Sequence, residues 1–444
     1  SMGNACLNRD EKPFQLDHKW EVDWQNKKVI CDGVNYYQGI FERLSIFNRR
    51  ISLDIEVYPV KPQFLNLLQH CDRFLTVIER IHQYSENQEL PVKIVFIDTL
   101  AAPYSVFRQF LYQKGLQDKN IDIIHISIAY ENYYSNLNTM ISKRLAVGNV
   151  SRDYQRRIPF LPQKDKFFNW VDQHKNELLD LRNNSLKFIK QNRVYSDAED
   201  KTRLQLLDRL EKERKKDKPI VCMIGKVVCD LGLPTDGGPV FKDIASWVNY
   251  MVQFAENNEV IILVKPHPHE LRKEIGLYLT ESLRDLFPKE LPKNMIFLDH
   301  SMFNTYELSD VIDTAVIWNG SACLELGVLK TPTILCSEFG HYDYPVGHQN
   351  PQTSEEFDKL LMTKKSDHND KKLEKTSLLC GAYLNYMKTD EVSIPYGYVN
   401  RPATNIDTWP PRWIPEELES YYTSGDPNIK RITEIITPEV DQDI

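Results

Sequence analysis

The run Ile261-Ile262-Leu263-Val264 has no polar face, so it reads as a strand buried on both sides, as in a parallel sheet. Pro266 stops it, and Pro268 follows at once. A second proline so close rules out both continued ladder pairing and an immediate helix. Lys265, His267, His269 and Glu270 are therefore gathered at the carboxyl end of a buried strand. That is the edge where open α/β sheets bind ligands. A charged turn that holds two histidines is the plainer interpretation. The abrupt Lys-Pro-His-Pro favours an anion site, with Lys265 and His267 facing a phosphate.

The same alternation extends to both sides. Pro219 precedes the buried run 220–224, and further strands are expected at 259–264, 295–298, 315–318 and 333–336. Helical spacing of apolar groups fills 241–256, 270–286 and 303–309, and another helix opens at 319–322. Five strands alternating with helices predict a Rossmann-like half. Earlier in the chain, 63–84 is an amphipathic helix, and 92–97, 103–114 and 121–128 read as strand, helix, strand. Val29-Ile30-Cys31 with Asp32-Gly33 reads as a short strand and turn, whereas residues 4–25 show no clear period.

Residues 165–215 are rich in charge with leucines at helical spacing and end in Glu211-Lys212-Glu213-Arg214-Lys215-Lys216. A solvated helical linker is the expectation there. The division that follows is an N-terminal Rossmann-like domain at 1–164, a helical charged linker region at 165–218, a C-terminal Rossmann-like domain at 219–400 and a C-terminal extension at 401–444. Two α/β halves facing across a cleft make the arrangement called GT-B.

At 444 residues the chain is long enough for two full cores. A formal charge of −8 argues against general nucleic-acid binding. No apolar run approaches the roughly 18 residues of a membrane span, and no signal-peptide pattern is read. Eight cysteines lie scattered without a CxxC pair, which fits a reducing cytoplasm and offers no zinc site. Neither GxGxxG nor GxxxxGK[ST] is present.

A second corner reads Trp318-Asn319-Gly320-Ser321-Ala322-Cys323-Leu324-Glu325. Here a strand passes through small residues straight into a helix, where Gly320 lets a ligand approach and first-turn amides suit an anion. Asn319 or Ser321 as an ordinary helix cap is the competing interpretation. Glu325 lies one turn on from Ser321, placed to reach a ribose hydroxyl or to brace the turn. Together the two corners make a nucleotide mono- or diphosphate pocket. The loop Asp230–Pro239 either closes over a substrate or merely turns the chain. Glu131, within Tyr130-Glu131-Asn132-Tyr133-Tyr134 at a strand end of the first half, is a candidate base or nucleophile, with Asp230 second. A rim residue bonded to nearby backbone is the alternative for Glu131.

With these residues assembled, the chain resembles the bacterial capsule polysaccharide biosynthesis glycosyltransferases, whose members include Kdo transferases. The resemblance covers about residues 92–396. It rests on Glu131-Asn132-Tyr133-Tyr134, Asp230, Phe241-Lys242-Asp243, Trp247, Lys265-Pro266-His267-Pro268 with Glu270, Asn319-Gly320-Ser321 with Glu325 and Gly327, Gly340-His341-Tyr342 and Ala382-Tyr383. The His-Pro motif is shared with sialyltransferases and with polyol-phosphate polymerases of teichoic-acid type.

The resemblance implies a GT-B glycosyltransferase that moves a sugar from a nucleotide donor, CMP- or CDP-linked, to a surface or capsular glycan. It implies no metal and no cofactor beyond the donor. It assigns the donor to the C-terminal domain and the acceptor to the N-terminal one. His267 and Lys265 would stabilise the departing phosphate, with Asn319 and Ser321 behind them. A CDP-polyol phosphotransferase, a non-catalytic nucleotide-binding relative and a sugar-nucleotide epimerase remain open. Lipid-linked acceptors would bring peripheral contact with the inner membrane face, through 201–218 or the tail that carries Trp409-Pro410-Pro411-Arg412-Trp413.

Overall fold

The computed structural model describes residues 16–88, 92–96, 101–114, 121–130, 140–141, 143–149, 164–191, 201–230, 235–267, 270, 280–299, 302–389, 396–399, 412–413, 419, 422–425 and 433. The chain divides into two compact units, Ser1–His125 with Asn149–Tyr154, and Ile126–Gly148 with Gln155–Ile444.

The first unit opens on an antiparallel meander, β1 (Trp20–Asp23), β2 (Lys28–Cys31) and β3 (Val34–Asn35). The Asp32-Gly33 turn joins β2 to β3, and both residues take positive φ there (49° and 77°). Strand β1 has little apolar periodicity because most of it is exposed. Pairing with β2 and long-range hydrogen bonds, rather than local pattern, hold it in place. Helices α1 (Tyr37–Asn48) and α2 (Val60–Ser85) follow. The expected strand–helix–strand then appears as β4 (Val92–Phe96), α3 (Ser105–Gln113) and β5 (Ile121–Tyr130), with β4 and β5 parallel. Val29, Ile40, Val60, Ile78, Phe107 and Leu111 lie in one buried cluster. Each such side chain contributes about 1.5–3 kcal/mol on leaving water. Short strands β6 (Met140–Ile141) and β7 (Lys143–Asn149) belong to the middle of the chain.

The second unit is built on a five-stranded, wholly parallel sheet: β8 (Ile220–Ile224), β9 (Ile261–Lys265), β10 (Met295–Phe297), β11 (Thr314–Ile317) and β12 (Thr333–Leu335). Every strand expected after residue 219 is present. Their spatial order is β10-β9-β8-β11-β12. The chain therefore builds outward from β8 in one direction, then returns to β8's other side. This is the order of a doubly wound sheet, with its switch point between β8 and β11. Helix α7 (Ile244–Asn257) covers one face; Asp243 and Ser246 form a capping box at its start. Trp247, Val248, Met251 and Ala255 are buried at three- and four-residue intervals, as the periodicity required.

The charged stretch after 164 does not behave as a linker. It forms α4 (Lys164–Gln173), α5 (Leu178–Gln191) and α6 (Lys201–Lys215). Phe167, Val171, Ile189, Leu206 and Leu210 enter the same buried cluster as the sheet residues Ile220 and Leu263. Charge on one face had masked a buried stripe on the other. The remaining helices of the unit include α8 (Thr305–Val311), α9 (Ala322–Val328), α10 (Glu338–Asp343), α11 (Ser354–Met362) and α12 (Asp370–Thr389). Of the helix expected at 270–286, residues 271–279 lie outside the described residues, and Leu283–Leu286 is a 3-10 turn. Most of the expected extension at 401–444 also lies outside them. Among the described residues, no helix is long and apolar enough to cross a membrane.

Candidate functional site

Three chain segments emerge side by side at the carboxyl edge of the second unit's sheet. Ile224 of β8 pairs in register with Lys265 of β9 on one side and with Ile317 of β11 on the other. Gly225-Lys226, Pro266-His267 and Trp318-Asn319-Gly320-Ser321 therefore leave the sheet at one level, around the switch point. The first two are very close: Gly225 N–H donates to the Lys265 carbonyl at 2.7 Å. A Cβ at Gly225 would stand 2.9 Å from that carbonyl and 2.6 Å from Leu283 Cδ2, so no other residue fits without displacing backbone.

Lys265 and His267 are both half-buried. Burial pushes the Lys265 ammonium down from its ordinary range, opposed by the nearby charges of Asp299, Glu307 and Glu325. A partly buried cation near carboxylates keeps part of its charge and is suited to an anionic ligand. The Glu325 interaction also shows that the β9 and β11 corners share one neighbourhood. Burial pushes the Glu325 carboxyl up, while a hydrogen bond from Thr305 and the charge of Lys265 pull it back. Glu325 is thus tied to Thr305 at this corner.

The Asn319 corner differs from expectation. Asn319 is buried, and its Nδ2 donates to Asp343 Oδ2 at 2.9 Å. Its amide nitrogen fastens the turn to α10. Beneath it, Trp318 is fully buried against Trp247, ring centroids 5.8 Å apart, which gives the turn a rigid floor. Ser321 stands at the cap position of α9 but makes no side-chain cap bond. Gly320 has φ 157° with open space where a Cβ would lie, so the backbone is left uncovered there. Two of the first amides are taken internally: Cys323 N–H donates to the Gly320 carbonyl, and Leu324 N–H to that of Ser321. With only seven residues in α9, its helix dipole is a weak anchor for an anion.

Glu270 is a brace. Its Oε1 accepts from Leu283 N–H at 3.0 Å, and the carboxylate also takes the Val228 amide of the loop after β8. Burial pushes its carboxyl up to about 7, helped by Asp285 and opposed by those two amides. Between pH 4.5 and 7 the folded state then holds a proton that the unfolded chain has released, so stability falls as pH rises through that window and is level above it. The shift corresponds to roughly 3 kcal/mol, and solvent screening of a half-buried group brings the expected part nearer about 1–2 kcal/mol. Glu270→Gln should gain stability over the parent at pH 8 and not at pH 5. Thermal melts across this range check it, and identical slopes in the two chains would remove the assignment.

The loop Asp230–Pro239 divides. Asp230 is exposed and paired with Lys226 at 3.4 Å. Its far half docks on the end of β12. Glu338 N–H donates to the Gly237 carbonyl at 2.6 Å, and a Cβ on Gly238 would fall 1.8 Å from the Cys336 carbonyl. That half turns the chain. Lys226, directly after Gly225 at the switch point, is a cation at this edge that the sequence analysis did not single out. A cation immediately after a glycine at the end of the domain's first buried strand was the available signal. Glu131 lies outside the described residues.

No protein-family model matches the chain, and no curated protein matches it. Among solved structures, KpsC of Thermosulfurimonas dismutans, a beta Kdo 2,7 transferase, is 14% identical over 78% of this chain and 88% of its own, with a TM-score of 0.29. The wall teichoic acid polymerase TagF, with CDPG, is 13% identical over 44% of this chain and 48% of its own, with a TM-score of 0.25. Similarity at this level assigns no activity, and what the chain does has to be argued from Lys226, Lys265, His267 and the Gly320 corner.

Proposed function

We propose that the chain is a transferase of nucleotide-activated donors, a glycosyltransferase, with the donor phosphate held at the carboxyl edge of the five-stranded sheet. The observation that supports this reading is that the segments carrying Lys226, Lys265 and His267 leave the sheet beside the open Gly320-Ser321 backbone at a topological switch point. Lys265 and His267 would stabilise the negative charge that grows on the departing nucleotide. Fixed charges in a partly dehydrated site are worth most at that moment. Glu131 remains the proposed base or nucleophile, since an oxocarbenium-like transition state favours a nearby carboxylate. The motif resemblance favours a cytidine nucleotide and a surface glycan acceptor, handled without metal at this site. Reaction at a lipid-linked glycan would bring peripheral membrane contact.

A thermal-shift panel of CMP, CDP, UDP and GDP tests the reading. A ligand at a hundredfold excess over its Kd stabilises the native state by about 2.7 kcal/mol. CMP or CDP is expected to raise the melting temperature in the parent and not in His267→Ala. No shift with any nucleotide, or a shift that survives the substitution, would count against the site. Incubation with CMP-Kdo against CDP-glycerol then separates sugar transfer from polyol-phosphate transfer, and conversion of donor without acceptor would indicate an epimerase.

A further inference from the structure

A second group of ligand-type side chains stands in the first unit. Asp72 and Glu79 are seven residues apart on α2, two helical turns, and so share a face. The β1–β2 register sets Trp20 opposite Cys31, which brings His18 beside the turn residue Asp32. His18 Nε2 lies 3.6 Å from Glu79 Oε2, and the ligand atoms of His18, Asp32 and Glu79 all fall within 4.8 Å of one another.

The other ring nitrogen is already engaged. His18 Nδ1 is 3.0 Å from Asp72 Oδ1. Asp72 is 1% exposed and held by the backbone N–H groups of Asp17 (2.7 Å) and His18 (3.1 Å) and by the Trp20 indole N–H (2.8 Å). A buried carboxylate that accepts Nδ1–H leaves Nε2 as the outward donor atom, and this is how metal-binding imidazoles are oriented. Here Nε2 looks onto two carboxylates. The nearby Lys114 donates its Nζ to the Asp32 carbonyl oxygen at 2.6 Å, a backbone contact.

We propose that His18 Nε2, Asp32 and Glu79 bind a divalent first-row transition ion, with Asp72 as the outer carboxylate that orients the ring. One imidazole and two carboxylates suit zinc, whose bonds to nitrogen and oxygen are about 2.0–2.2 Å. Asp32 is exposed and Glu79 half-exposed, so both can close the remaining distance. The ion would tie the β2–β3 turn and the start of β1 to α2, three elements that no local pattern joins. Sequence inspection finds no such site because the ligands come from residues 18, 32 and 79, without motif spacing. A charged His18 clamped between Asp72 and Glu79 is the competing account, and it needs no ion.

Titration of the full chain, freed of metal by chelator, with ZnCl2 in a calorimeter and with CoCl2 by visible absorption decides between them. The expected result is one ion per chain, a chelator-reversible rise in melting temperature, and affinity lowered about tenfold or more in both Asp32→Asn and Glu79→Gln. Both substitutions alter solvent-facing side chains, so the variants should fold. An ion held elsewhere, by other histidines or by thiols, would leave both affinities unchanged. That outcome, or no stoichiometric binding in the parent, overturns the proposal.

Discussion

Replacing Lys265 with methionine is expected to lower transfer from CMP- or CDP-linked donors by about 10²- to 10³-fold, the usual cost of removing one preorganised charge-stabilising group. The melting temperature should not fall. Methionine keeps the stem that packs at the end of β9, and it removes an ammonium whose burial already works against its charge. The loss should appear in kcat more than in KM, because the charge on the leaving phosphate is greatest in the transition state. Steady-state kinetics with a melt on the same sample check both halves. Unchanged turnover would remove Lys265 from the site, and a fallen melting temperature with unchanged kcat would make it a structural residue.

The second large effect belongs to the first unit. Asp72→Ala should cost about 3–5 kcal/mol, because it leaves buried donors without their shared acceptor. The four donors, Asp17 N–H, His18 N–H, His18 Nδ1 and the Trp20 indole, come from the chain entering β1. That stretch has little buried apolar surface of its own to compensate. Burial pushes the Asp72 carboxyl up, but hydrogen bonds from Asp17, Trp20 and His18 outweigh it and hold it below its ordinary value. Its contribution is therefore present above the unfolded carboxylate range and lost as pH falls through the lowered folded value. Denaturant melts of parent, Asp72→Asn and Asp72→Ala should rank in that order, with the asparagine variant between because it keeps one acceptor oxygen. Equal midpoints in all three would mean that the network contributes nothing.

Both expectations start from residues whose position was differently legible. Lys265 and His267 could be read directly, because a β-branched run cut by two prolines announces a strand end wherever it is packed. Asp72 could not, since one carboxylate on an amphipathic helix looks the same whether it faces water or a neighbouring strand. Asn319 shows the same limit at the site itself. Its neighbours Gly320 and Ser321 suggested a phosphate, yet its amide turns inward to Asp343, and only the position of α10 explains why. The helices from 164 to 215 read as solvated because charge dominates their composition, whereas the leucines among those charges complete the second unit's core.

Taken alone, the sequence determined the five buried strands after residue 219, the helices that follow β8, β10 and β11, and the abrupt stop at Pro266. These are local properties: side-chain periodicity, proline geometry and the absence of a polar face act within one or two turns of chain. Tertiary structure alone decided that β8 stands at the centre, that Gly225, His267 and Gly320 leave the sheet together, and that His18, Asp32 and Glu79 meet. Strand order and the facing of helices depend on which apolar surfaces cover one another across tens or hundreds of residues, and that choice is made by the packing of the whole unit.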